Sequence, residues 1–238
     1  VVLETIDETV FELDLTPNRG DCFSHRGVAR EVAIFEDSPF KLREFKIVEV
    51  AEPTKESITI NILNTEACPR YTARIIKNVK VGSSPEWLKD RLTSIGQKSI
   101  NNIVDISNFV MMEMGHPTHM FDYDKFGSKT VLIRRGKNGE KIITLDEIER
   151  KLTPEQLLIT NGKIPVASAG VMGGLDSAVT METTTVLIES AYFDAPTIRK
   201  GAKSLGMSTD ASKRFERGAD PNGAENAFWR VVQLLEDV

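Results

Sequence analysis

The chain has 238 residues, 40% of them hydrophobic, enough to bury the core of one or two compact domains. Its 35 acidic side chains against 30 basic ones leave a formal charge of −5. That excludes a uniformly cationic nucleic-acid coat but leaves room for a local basic face that docks phosphates.

The two cysteines, Cys22 and Cys68, are too few for a disulfide scaffold or a four-cysteine zinc site. They read as reduced core thiols, so a cytoplasmic setting is expected. No apolar run approaches the roughly 20 residues that span a bilayer. The chain opens at Val1 with neither methionine nor a basic signal region and reads as a piece of a longer protein.

Residues 10–15 alternate apolar and acidic side chains, the period of a half-buried strand. Turn formers at 16–21 break it. Ser24 then caps a helix with Val28, Val32 and Phe35 at helical spacing. Residues 1–45 are expected to form a small partial α/β unit, and 46–57 a polar connector.

From residue 58 the texture changes. Residues 58–62 and 71–76 alternate as strands. Ser84 and Pro85 open a helix as cap and first helical residue, with Trp87, Leu88, Leu92 and Ile95 along its apolar side and Gly96 at its end. A second helix runs over 102–114 and closes at Gly115. Beyond 130 the pattern is mostly β: Asn138-Gly139 predicts a hairpin between 131–133 and 142–145, and Asn161-Gly162 another between 157–159 and 166–169. Residues 185–190 form a buried strand; helices follow from Asp194-Ala195-Pro196 to about 204 and over 222–238. Grouped strands with a few helices predict α+β: a mixed, mainly antiparallel β core with flanking helices.

Four segments carry chemistry. His116 and His119 lie three apart beside Asp122, but no further ligand cluster supports a metal, and none is expected. His119 reads better as a hydrogen-bonding group in a site, with a satisfied structural histidine as its rival. Glu189 shares a strand face with Leu187; a carboxylate there costs several kcal/mol unless paired. It is either solvent-facing or an acceptor inside a pocket. The glycine-rich run 169–174 lacks the Lys-Ser/Thr of a phosphate loop and implies close backbone approach instead. Arg199, Lys200, Lys203, Lys213, Arg214 and Arg217 crowd one stretch, a solvated helix face or a phosphate contact. No nucleophile–histidine–acid set can be assembled.

Six segments together resemble the β-subunit of bacterial phenylalanyl-tRNA synthetase. They are Leu15-Thr16-Pro17-Asn18-Arg19-Gly20-Asp21-Cys22, Arg26-Gly27-Val28-Ala29-Arg30-Glu31, Asp105-Ile106-Ser107-Asn108-Phe109-Val110, Gly115-His116-Pro117-Thr118-His119-Met120-Phe121-Asp122, Ala169-Gly170-Val171-Met172-Gly173-Gly174, and the run 208–218 around Thr209-Asp210-Ala211-Ser212-Lys213-Arg214. They stand in family order over almost the whole chain. Residues 1–45 resemble part of the B1 domain and 58–221 the B3/B4 editing domain, with 222–238 a helix leading toward further domains.

The resemblance implies hydrolysis of tyrosine wrongly esterified to tRNA(Phe), within phenylalanine-tRNA aminoacylation. A synthetic pocket for Phe discriminates poorly against an analogue that adds a hydroxyl, so a second pocket that bonds the hydroxyl inverts the preference. By position, Glu189 would read the tyrosine hydroxyl. His119 and Thr209 would act at the ester and its water. Gly173 and Ala211 would shape the substrate cleft, and Lys98, Lys213 and Arg214 would contact tRNA. Lys98 stands where an arginine is common, and His116 where a glutamine is frequent. Partners implied are tRNA(Phe), its tyrosine or phenylalanine moiety and an α-subunit, in a heterotetramer of two α and two β subunits; no membrane is involved. No cofactor is expected here, ATP and Mg2+ serving the full synthetase. A non-catalytic tRNA-docking module is the alternative, and a general nucleic-acid-binding β protein the third reading.

Overall fold

The computed structural model describes residues 2–5, 9–41, 50 and 52–238. The ribbon β1 (Val2–Thr5) and β2 (Thr9–Phe11) is antiparallel. A 3-10 turn over Gly20–Cys22 leads into α1 (His25–Phe35), whose cap is Ser24, accepting from the Gly27 N–H. The apolar stripe of α1 lies open: Val32 is 53% and Phe35 87% exposed. The expected connector falls partly on 46–49 and 51, outside the described residues.

The turn α2 (Thr54–Ser57) precedes β3 (Thr59–Ile62) and β4 (Arg70–Lys77). Then come α3 (Glu86–Ser94) and α4 (Asn102–Met114). Pro85, not Ser84, occupies the cap position of α3 and offers no side-chain cap bond. Ser84 instead donates its hydroxyl to Asp105 Oδ2 at 2.6 Å. Asp105, fully buried, also accepts from Ser99 Oγ and the Ile100 N–H. The carboxylate thereby fixes the loop between the two helices. Gly115 closes α4 at φ +75°, where a left-handed residue is needed.

Next follow β5 (Thr118–Asp122), the turn α5 (Tyr123–Phe126), β6 (Thr130–Arg135), β7 (Lys141–Ile143) and β8 (Glu149–Lys151). Then come β9 (Leu157–Thr160), β10 (Pro165–Ser168) and β11 (Met172–Gly173). The chain ends with β12 (Thr185–Tyr192), α6 (Ala195–Ser204), α7 (Asp210–Phe215) and α8 (Gly223–Glu236). Asn138-Gly139 does not join a hairpin of 131–133 with 142–145. There β6 pairs with β3 and β9, and β7 pairs with β8. The dipeptide turns the chain, with Gly139 at φ +89°, but local turn chemistry is overruled by the sheet that pairs β6 along both edges. Asn161-Gly162 does join β9 to β10.

The architecture is α+β, as the pattern predicts. One sheet runs β11-β10-β9-β6-β3, antiparallel except for β3 beside β6; another runs β4-β12-β5, wholly antiparallel. Strand β12 is buried from Val186 to Ala191, because each of its faces meets a different core. Leu187 and Ala191 pack with Val131, Ile133 and Ile159 of the larger sheet. Val186 and Ile188 pack with Leu88, Ile106 and Phe228 from α3, α4 and α8. The helix expected to lead toward further domains is thus part of the second core. Glu189, by the period of two, points with Leu187 into the space between the sheets.

Candidate functional site

Where the two sheets part, the gap opens into a cleft of about 290 Å³, at the lower end of small-ligand sites, roughly 300–1,000 Å³. Its walls include His119 from β5, Gly173 from β11, Glu189 from β12, and Thr209, Asp210 and Ala211 from the start of α7. The fold therefore brings together all five residues to which the resemblance assigns substrate or ester contact. They come from segments up to 92 residues apart, as His119 and Ala211 are (211 − 119).

Glu189 is 7% exposed. Its Oε2 accepts a hydrogen bond from the Tyr71 hydroxyl at 2.7 Å. Burial holds the carboxyl up at about 7, the Tyr71 bond pulling the other way; near neutrality it exchanges between acid and carboxylate. The solvent-facing reading of Glu189 is excluded by this burial.

His119 stands directly opposite Glu189 in the β12–β5 register and packs edge-on against Phe121, ring centroids 4.4 Å apart. Burial depresses its imidazole to about 4, so at pH 7 the ring is neutral, with one nitrogen a donor and the other an acceptor. Gly173 makes that position available. A Cβ there would sit 2.5 Å from His119 Cε1 and 2.8 Å from Nε2, so only a glycine lets the ring lie against β11. This is the close approach the glycine-rich run implies.

Thr209 caps α7: its Oγ1 accepts from the Ser212 N–H at 3.0 Å and donates to the Val171 carbonyl at 2.9 Å. With its single proton engaged, the hydroxyl can offer a ligand or water only an acceptor site. At the mouth, Gln97 Nε2 donates to Asp210 Oδ2 at 3.2 Å, bracing the α3–α4 loop against α7.

Lys98, beside Gln97, and Lys213 on α7 are exposed, as a phosphate contact requires. Arg214 is not: 6% exposed, it donates to the carbonyls of Phe23 and Asp210 and reaches Met112 Sδ. It ties α7 to the opening unit, and its guanidinium is engaged before any phosphate could reach it. Tyr71 and Gln97 escaped the sequence reading; Tyr71 was one aromatic among the apolar residues of a strand.

The histidine pair does not form a metal site with Asp122. Asp122 Oδ1 accepts from the N–H groups of Asp124 and Lys125, and Oδ2 from the Thr183 hydroxyl. His116 is 3% exposed and packs on Phe215, and among the described residues neither ring nitrogen has a hydrogen-bond partner of normal geometry. Among the described residues, one group has metal-like spacing, Asp21, Cys22 and Glu31. Arg19 already lies among these three, bonded to each. No helix among the described residues is long and apolar enough to cross a membrane.

The profile of the B3/4 domain matches residues 67–238. The chain belongs to the B3/4 domain family. Beyond that match, the sequence is 48% identical over 233 residues to a protein of Syntrophus aciditrophicus and 49% identical over 232 residues to one of Geobacillus kaustophilus, both named phenylalanine–tRNA ligase beta subunit. Each alignment covers 98% of this B3/4 chain, which spans 29% of the relative's length. A solved N-terminal fragment of the phenylalanyl-tRNA synthetase β-subunit from Pyrococcus horikoshii overlays 80% of this chain and 58% of its own, with a TM-score of 0.43 and 14% identity.

Proposed function

We propose that this B3/4 domain hydrolyses the ester of tyrosine mischarged on tRNA(Phe), as part of a phenylalanine–tRNA ligase β-subunit. The single observation that carries the reading is a hydrogen-bond acceptor, Glu189, buried at the inner wall of a largely apolar cleft. A phenol entering there can donate to the carboxyl oxygen that Tyr71 leaves open; a bare phenyl ring leaves that oxygen unpaired. One charge-assisted hydrogen bond contributes about 1.5–3 kcal/mol, which corresponds to roughly ten- to hundredfold preference for tyrosine.

In this reading Glu189 accepts the tyrosine hydroxyl, with Gly173 and Ala211 leaving room for the aminoacyl group. Water attacks the ester carbonyl; the acyl–oxygen bond breaks, giving free tyrosine and the terminal ribose hydroxyl. The neutral His119 ring can accept a proton from the water or donate one to the leaving oxygen, and the Thr209 hydroxyl can accept from the water and orient it. Most of the acceleration then comes from orientation. Lys98 and Lys213 serve the tRNA backbone. An α-subunit, with ATP and Mg2+, performs amino-acid activation elsewhere in the complete enzyme.

The test is release of amino acid from Tyr-tRNA(Phe) and Phe-tRNA(Phe) by the 238-residue chain. The proposal predicts selective release of tyrosine, lost in Glu189→Ala and His119→Ala. Binding of both RNAs without ester turnover would replace it with a docking module.

A further inference from the structure

We propose that Tyr71 is a positioning residue for tyrosine selection: its phenol holds one oxygen of Glu189 so that the other is presented to the substrate hydroxyl. The inference rests on the editing reading and adds to it a residue outside the cleft wall.

The placement follows from register. Strand β4 runs antiparallel to β12 with Ala73 opposite Glu189 and Tyr71 opposite Ala191. Tyr71 is therefore the diagonal neighbour of Glu189 on the same face, within reach of a long side chain. Its ring is 8% exposed, and its hydroxyl donates to Glu189 Oε2 at 2.7 Å, the length of a charge-assisted O–H···O bond. A glutamate carboxyl turns easily about its last torsion. A phenol anchored in the core removes that freedom on one oxygen and leaves the lone pairs of Oε1.

The bond also favours the ionised acid, in which both oxygens are acceptors. Burial opposes it. Among the described residues, the titratable groups around Glu189 include Cys68, His119 opposite it on β5, and Asp210 on the far side of the cleft. Burial first, and the Glu189 charge second, raise both Tyr71 and Cys68; the His119 ring is neutral above about 4. Tyr71 is thus the group that keeps Glu189 an acceptor near neutral pH.

The experiment replaces Tyr71 with Phe in the 238-residue chain. It measures the ratio of kcat/KM for Tyr-tRNA(Phe) over Phe-tRNA(Phe) from pH 6 to 9, with calorimetric binding of free L-tyrosine and L-phenylalanine alongside. With Glu189 titrating at about 7 in the native chain, loss of the bond raises its midpoint by about one unit. Tyrosine preference at pH 7 then falls about fivefold and returns as the pH approaches 9. A structural role alone would lower activity on both esters equally at every pH. Should Tyr71→Phe fail to fold, 3-fluorotyrosine at position 71, a stronger donor of nearly the same shape, shifts the midpoint to lower pH. An unmoved midpoint and an unchanged preference in either variant overturn the inference while leaving selective editing intact. A native chain without preference overturns both.

Discussion

Glu189 and His119 face each other across the β12–β5 ladder, yet they are not an ion pair. Burial lifts the carboxyl to about 7 and drops the imidazole to about 4, so near neutrality the acid exchanges between its two forms beside a neutral ring. Inside the cleft, away from bulk water, each hydrogen bond is stronger than in water. The pair places an acceptor for a phenol and an uncharged donor–acceptor ring on one wall of one cavity.

Gly173 is a tightly packed position in that wall. Gly173→Ala puts a methyl 2.5 Å from His119 Cε1 and forces the imidazole off β11. Ester hydrolysis should fall at least tenfold, as misplacement of a reacting group by about 1 Å costs, with thermal stability changing by less than about 1.5 kcal/mol. Steady-state kinetics beside a melting curve decide it; an active Gly173→Ala chain would show that the ring has no part in the reaction.

Thr209 separates fold from chemistry. Thr209→Val removes the α7 cap and the bond to the Val171 carbonyl, and should cost about 1–2 kcal/mol of stability. Thr209→Ser keeps both bonds and should retain stability and turnover. Urea titration of the two variants checks this, and equal stability would mean the cap contributes nothing.

The histidines make the fold acid-sensitive. The folded-state value of His116 lies at about 4 against an ordinary 6.5, chiefly through burial. The unfolded chain therefore binds the proton first, and stability present above pH 6.5 is lost as the pH falls toward 4, by up to about 3 kcal/mol. Glu189 runs oppositely: its raised value means stability is gained as the pH falls from about 7 to 4.5. His116→Gln should flatten the acid loss between 6.5 and 4. Denaturant midpoints at pH 7 and 4.5 measure it, and an identical drop in both proteins would refute the assignment.

Arg214 and Lys213 should behave differently although adjacent. Arg214→Gln breaks contacts to Phe23, Asp210 and Met112 inside the fold and should cost about 3 kcal/mol. Lys213→Gln and Lys98→Gln should leave stability unchanged and weaken tRNA binding, each lowering the salt slope by about one. Filter binding across a salt series discriminates; a salt slope unmoved in both lysine variants would place the RNA elsewhere.

Much of this protein was legible from spacing. The cap at Ser24, the helix start at Asp194-Ala195-Pro196, the stop at Gly115 and the strand through Glu189 depend on neighbours within a few residues, and the structure agrees with them. The hairpin predicted at Asn138-Gly139 was not realised, because a turn dipeptide says where a chain bends and not which strands pair. Arg214 was misjudged for a similar reason: a basic run looks solvated until the element that covers it, here Phe23 some 190 positions away, is known.

Local patterning already implied an α+β chain with a crowded glycine and left the strand carboxylate open between solvent and a pocket, since period, capping and backbone conformation act over a few residues. Which phenol holds that acid, which ring fills the space beside the glycine, and which cations remain free all required the pairing of β4, β5 and β12 and the docking of α7. Those contacts join residues distant along the chain, and their geometry exists only once both cores have closed.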